Sequence, residues 1–139
     1  MARTILLVED DQSLRVALEA LLRRAGYDVV LAVNGLHALS VAALNWIDGV
    51  LTDVDMPDMN GIELCRQLQK IGATTGGRCP TWIMTGNHTP EVVERGLAAG
   101  AIAVLAKPFY PREALQALEV YFSRSDSAEA QGADVPQTH

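Results

Sequence analysis

A chain of 139 residues, 49% of them hydrophobic, suits one folded domain with a single sizeable core and excludes an intrinsically disordered protein. Eleven basic residues against seventeen acidic ones leave a net charge of −6, which argues against a nucleic-acid-binding surface. No apolar run reaches membrane-spanning length, and Ile5-Leu6-Leu7-Val8 is too short for a signal peptide, so a cytoplasmic protein is expected.

Thr4–Val8 is a compact β-rich run that stops abruptly at Glu9-Asp10-Asp11. Ser13 is the expected N-cap of a helix over residues 14–25, with Leu14, Leu18, Leu21 and Leu22 on one face and Gly26 as its stop. Asp11 reads as a solvated acid at the helix start. Asp28–Ala32 reads as a second strand, and Asn34-Gly35 as a turn. Leu36, Leu39, Ala43 and Trp46 then recur at helical spacing, and Trp46 and Trp82 read as packing residues, Trp82 near the candidate site. Residues 49–52 form a third strand that delivers Asp53 to its end, followed by a loop punctuated by Pro57 and Gly61. Met56 and Met59 flank Pro57 and suit partner docking if exposed.

Leu64, Leu68 and Ile71 mark a third helix, and residues 72–79 read as a flexible connection. Residues 81–84 form the fourth strand, ending at Thr85-Gly86. Thr89-Pro90-Glu91 opens a helix with Val93 and Leu97 toward the core and Gly100 at its end. Residues 102–106 give a fifth strand ending at Lys107-Pro108-Phe109, and Leu115, Leu118 and Phe122 carry the last helix. Cys65 and Cys79 form no C-x-x-C pair and read as free buried thiols; His37 and His88 read as surface residues. From Arg124 the apolar pattern dies. The domain is therefore placed at residues 1–123, with 124–139 as a disordered tail or linker.

Five near-continuous apolar strands alternating with five amphipathic helices predict an α/β fold with a parallel sheet covered on both faces, of the doubly wound kind. In such a sheet the C-terminal strand ends share one edge. The first strand brings Glu9 and Asp10 there, the third Asp53, the fourth Thr85 and the fifth Lys107. Three carboxylates, a hydroxyl and an ammonium suit phosphoryl transfer onto a carboxylate. The acids repel unless a divalent cation neutralises them, and an all-oxygen set with room for water and phosphate suits Mg2+. Lys107 stabilises the remaining charge, the Thr85 hydroxyl bonds a phosphoryl oxygen, and Gly86 leaves space for it.

These residues resemble the receiver domain of two-component response regulators over about residues 4–122. Val8-Glu9-Asp10-Asp11 is similar to that family's acidic-pair motif. Asp53-x-Asp-Met-Pro-x-x-x-Gly resembles the phosphoacceptor loop, Thr85-Gly86 the switch hydroxyl with its small neighbour, and Lys107-Pro108-Phe109 the lysine motif. The resemblance implies a flavodoxin-like sheet of strand order 2-1-3-4-5 and phosphorylation of Asp53. It implies Mg2+ bound by Asp10 and Asp53 side chains and the Asp55 backbone carbonyl, with Glu9 direct or through water. Lys107 would pair with the phosphoaspartate, Thr85 would move toward it, and the Lys107-Pro108 bond would be cis.

By the same resemblance, Val54, Gly86 and Asn87 neighbour the phosphate, and Asp55 and Asn87 stand where hydrolysis is tuned. Phe109, Tyr110 and the helix over residues 90–99 form the signalling face. Val104 stands on that face where an aromatic often rotates, and valine cannot swing as a ring does. The implied partners are a histidine kinase or histidine phosphotransfer protein and a downstream effector, with a homodimer admitted. The implied chemistry is catalysis of the chain's own phosphorylation and dephosphorylation only. Two alternatives are a haloacid-dehalogenase-type phosphatase, whose paired acids Asp53-Val54-Asp55 would match, and a degenerate receiver that binds partners without phosphorylation.

Overall fold

The structure, a computed structural model, describes residues 2–75 and 79–134. Among these, strands and helices alternate: β1 (Thr4–Val8), α1 (Gln12–Arg24), β2 (Asp28–Ala32), α2 (Gly35–Leu44), β3 (Gly49–Asp53), α3 (Gly61–Thr75), β4 (Thr81–Thr85), α4 (Pro90–Ala98), β5 (Ala103–Ala106) and α5 (Pro111–Asp134). The strands form one parallel sheet in the order β2-β1-β3-β4-β5. Both the doubly wound architecture and the strand order are as expected.

Two-residue periodicity sorts the strand side chains between two faces. Ile5, Leu7, Leu51, Trp82 and Met84 pack with Leu18 and Leu22 of α1 and Ala114, Leu118 and Phe122 of α5. Leu6, Val8 and Val50 face the other way, against Ala38, Leu64 and Leu68, and Ile83 and Val104 pack with Ile62, Cys65 and Ala99. Burial on both faces explains why the strands read as continuous apolar runs rather than alternating ones. Gly26 and Gly100 end α1 and α4 with φ of 101° and 108°, conformations that carry little penalty only for glycine.

Several local expectations are corrected. Asp11, not Ser13, caps α1: its Oδ1 accepts the Leu14 N–H at 3.0 Å, and Ser13 already lies in the first turn. Asn34 is the N-cap of α2, accepting the His37 N–H, rather than part of a free turn. In α2 Ala38 is buried whereas Leu36 is 60% exposed, because a helix apolar nearly all round offers more than one stripe at the right spacing. Trp46 lies beyond that helix at 82% exposure, its indole N–H donated to Asp48. Trp82 does pack, but in the core against Tyr121 and Phe122 rather than beside the candidate site.

Toward the core α4 turns Val92, Val93 and Gly96; Leu97 is largely exposed. Helix α3 runs through Thr75, so residues 72–75 are helical, while the remainder of the expected connection at 76–78 lies outside the described residues. Helix α5 continues past Arg124 to Asp134. The apolar pattern fades beyond Arg124, yet Ala128, Glu129, Ala130 and Gln131 are good helix formers by residue type. Arg3 holds the start of this extension, stacking on Phe122 with 4.5 Å to the ring centre and pairing with Asp126.

Cys65 and Cys79 are buried and unbridged. Burial pushes both thiols up, Cys79 to about 11. Only the thiolate reacts with iodoacetamide. Both cysteines are therefore expected to resist alkylation in the folded protein at mildly alkaline pH and to react fully in denaturant, as read by intact mass. Rapid labelling of the native protein would show that the α3–β4 region opens readily.

Candidate functional site

The strand ends gather the expected residues on one edge. Glu9, directly after β1, is 1% exposed; its Oε1 accepts from Lys107 Nζ at 2.8 Å and its Oε2 accepts the Asp11 N–H at 3.1 Å. Arg15 of α1 donates to the Glu9 carbonyl at 3.1 Å and fixes the backbone there. Asp53, the last residue of β3, is 5% exposed with its Oδ2 3.3 Å from Lys107 Nζ. One carboxylate oxygen from each of Glu9, Asp10 and Asp53 lies within 4.8 Å of the other two. Asp10 and Asp55 are exposed at the rim.

The backbone sets this geometry. The Val54 N–H bonds the Met84 carbonyl at 2.8 Å, so β3 and β4 remain paired to the end of the strand. The loop closes when the Gly61 N–H reaches the Val54 carbonyl at 2.8 Å and Asn60 Oδ1 caps the first turn of α3 by accepting the Ile62 N–H at 2.7 Å. Gly61 sits so close that a Cβ on it would fall 2.1 Å from the Asp53 carbonyl oxygen. On the fifth strand, the Lys107 N–H bonds the Thr85 carbonyl at 2.7 Å and the Lys107–Pro108 peptide is cis. The Lys107 ammonium lies between Glu9 and Asp53.

Burial pushes the Asp53 carboxyl above its ordinary value; Lys107 and the Asp55 backbone N–H offset this only in part. Glu9 is likewise raised by burial, against the Lys107 bond. For Lys107 burial opposes the charge, but the Glu9 bond and the two carboxylates outweigh it and its pKa is raised. With three carboxylates against one ammonium, full ionisation leaves an excess of two negative charges. A hard divalent cation with oxygen ligands fits that charge and that donor set.

The residues expected to neighbour a phosphoryl group sit at and just beyond the ends of β3 and β4. Thr85 is 1% exposed, and its hydroxyl accepts the Asn87 N–H at 3.0 Å. Around Gly86 the space is open, since a Cβ there would meet nothing within 4 Å. Val54 is buried against Ile62 and Cys65. A cleft of about 450 Å³ lined by Asp11, Leu14, Gly86, Lys107, Pro108 and Phe109 opens beside the lysine. Of the three residues expected to face partners, Tyr110 is 79% exposed and Phe109 is half-buried. Val104 instead is buried beneath α4, where a Cβ on Gly96 would come within 2.7 Å of its Cγ2. Met56 and Met59 are half-buried and pack on the core.

One residue of the loop carried no functional signal in the sequence. The Asp58 carboxylate accepts the Gly35 and Leu36 N–H groups at 3.0 and 2.8 Å, strapping the loop after Asp53 to the N-terminus of α2. Those backbone bonds hold its pKa below the usual carboxylate range. A strap spanning two loops distant in sequence has no local spacing to betray it.

A family model described as the response regulator receiver domain matches residues 5–119, which take in β2 to β5, all of β1 but Thr4, and all the clustered groups. The chain belongs to the response regulator receiver family. Response regulator MprA of Mycobacterium sp. (strain KMS) is 38% identical to this receiver over 132 residues, covering 95% of this chain and 55% of the relative. This receiver therefore spans about half the length of the curated relatives it matches. A CheY-like receiver from Methanospirillum hungatei JF-1 superposes with a TM-score of 0.82 at 26% identity, covering 92% of this chain and 99% of the other. Chemotaxis protein CheY4 of Vibrio cholerae does so with 0.78 at 32% identity, covering 86% and 98%. Among the described residues, no helix of this receiver is long and apolar enough to cross a membrane.

Proposed function

We propose that this receiver accepts a phosphoryl group on Asp53 from a phosphohistidine donor and switches its contacts with other proteins according to that state. The observation that carries this reading is the buried Asp53 carboxylate, held beside the single ammonium of Lys107 and two further acids. Two of these carboxylates, Glu9 and Asp53, are buried on one ammonium, an excess that structural burial alone rarely tolerates. An Asp53 oxygen forms the new O–P bond as the donor's P–N bond breaks, and the departing imidazole takes up a proton. Lys107 offsets negative charge on the transferred oxygens, and Thr85 supplies a hydroxyl to one of them.

Glu9, Asp10, Asp53 and the Asp55 backbone carbonyl are the groups that would hold Mg2+. When bound, it supplies charge neutralisation at the carboxylates and the phosphoryl oxygens. The partners are a histidine kinase or phosphotransfer protein upstream and an effector downstream. The catalysis is confined to the chain's own phosphorylation and dephosphorylation. A phosphatase using Asp53 and Asp55 as its acid pair gains no support, because the Asp55 side chain stands exposed at the rim while Lys107 and Glu9 close around Asp53.

Acetyl phosphate tests the reading without a kinase. In Mg2+ the intact mass is expected to rise by one phosphoryl group, and EDTA or Asp53→Asn is expected to prevent it. A folded wild-type protein whose mass does not change in Mg2+ would sink the proposal.

A further inference from the structure

The loop between Thr85 and α4 is tied down by bonds that bypass Asp53. The Thr85 hydroxyl takes the Asn87 N–H at 3.0 Å. At the far end the Thr89 side chain caps α4, accepting the Val92 N–H at 3.2 Å, and the Thr89 N–H bonds the Asn87 carbonyl at 3.0 Å. Between them His88 reaches across to β5, its Nε2 3.0 Å from the Val104 carbonyl oxygen. A carbonyl only accepts, so Nε2 carries a hydrogen and donates it. The strand position it grips is the one whose own side chain is buried under Gly96 of α4. Valine there has no group that can follow the loop, but its carbonyl can be held by it.

We propose that His88 is a positioning residue whose bond to the Val104 carbonyl latches the β4–α4 loop in its unphosphorylated arrangement. The inference rests on the phosphoacceptor reading and adds a means of regulation to it. A Thr85 hydroxyl drawn toward a phosphoryl group on Asp53 pulls on the Asn87 N–H. Only residues 86–88 separate it from the capped end of α4, so the displacement reaches His88 and breaks its bond to β5. The latch therefore favours the resting arrangement, and its loss shifts the population toward the activated one. His88 is exposed, so truncating it leaves no cavity in the core.

Beryllofluoride, which adds to a carboxylate as a phosphoryl mimic, provides the test in Mg2+ buffer. His88→Ala is expected to bind it about three- to tenfold more tightly than wild type, the ratio that one neutral hydrogen bond carries. His88→Gln keeps an N–H donor and is expected to stay near wild type. In the wild-type protein, the hydrogen-bonded His88 Nε2–H resonance is expected in the resting state and lost at beryllofluoride saturation; this measurement decides even if a variant fails to fold. Equal or weaker binding by His88→Ala, equal tightening by His88→Gln, or a resonance that persists unchanged would each overturn the latch alone. A wild-type protein that binds no beryllofluoride would overturn the phosphoacceptor reading itself.

Discussion

Gly61→Ala is expected to lower the melting temperature by about 10 °C and to abolish Mg2+-dependent phosphorylation, although the residue carries no functional group. The added methyl would lie 2.1 Å from the Asp53 carbonyl oxygen and 2.9 Å from Val54 Cα. These are backbone atoms that cannot rotate aside as a flexible side chain can. Relief requires either β3 to leave β4, breaking the 2.8 Å bond from the Val54 N–H to Met84, or α3 to retreat from Val54. Forced overpacking of this kind costs on the order of 3 kcal/mol, and either route moves the Asp53 carboxylate away from Glu9 and Lys107. Gly86→Ala, placed where a Cβ meets open space, should melt near wild type. A Gly61→Ala protein that melts and phosphorylates like wild type would show that the loop is not closed against the strand end.

Lys107→Ala is expected to slow phosphorylation by acetyl phosphate about 100-fold, the scale of removing one preorganised donor of charge stabilisation. It also removes the only ammonium within reach of Glu9 and Asp53 among the described residues. Both carboxyls already stand above their ordinary values through burial, with Lys107 restraining the rise. Without it they rise further. A carboxyl whose folded pKa exceeds its unfolded value contributes stability below the unfolded value and loses it as pH climbs through the folded one. In cation-free buffer the melting temperature of Lys107→Ala should therefore fall further below wild type as pH rises through and past the ordinary carboxylate range. Added Mg2+ should narrow that gap. A gap that widens toward acid instead would contradict the charge assignment.

The extent to which the site was legible follows from where each group sits. Glu9, Asp10, Asp53, Thr85 and Lys107 all occupy strand ends, and a parallel sheet puts strand ends on one edge whatever the loops do. Apolar runs bounded by glycine, proline and acids marked those ends to within a residue. The helix faces were harder: α2 is apolar nearly all round and α4 presents a glycine to the sheet, so spacing alone misassigned Leu36 and Leu97. The contacts that escaped the sequence join segments far apart in the chain through a backbone atom of one of them. Asp58 on the Gly35 and Leu36 N–H groups and His88 on the Val104 carbonyl are of this kind. A backbone N–H or C=O is present at nearly every residue, so the partner of such a bond leaves no mark in composition or periodicity. The continuation of α5 beyond Arg124 escaped for the opposite reason: its residues are good helix formers, but the sequence there lacks an apolar stripe at helical spacing.

Chemical trapping decides directly whether the reactive oxygen belongs to Asp53. Borohydride reduces an acyl phosphate to an alcohol, so the protein treated with acetyl phosphate and Mg2+ can be reduced, digested and sequenced by mass. The prediction is homoserine at position 53 and intact aspartate at positions 10, 11, 55 and 58. Homoserine at another of these positions, or phosphate retained on His37 or His88 with Asp53 untouched, would contradict it.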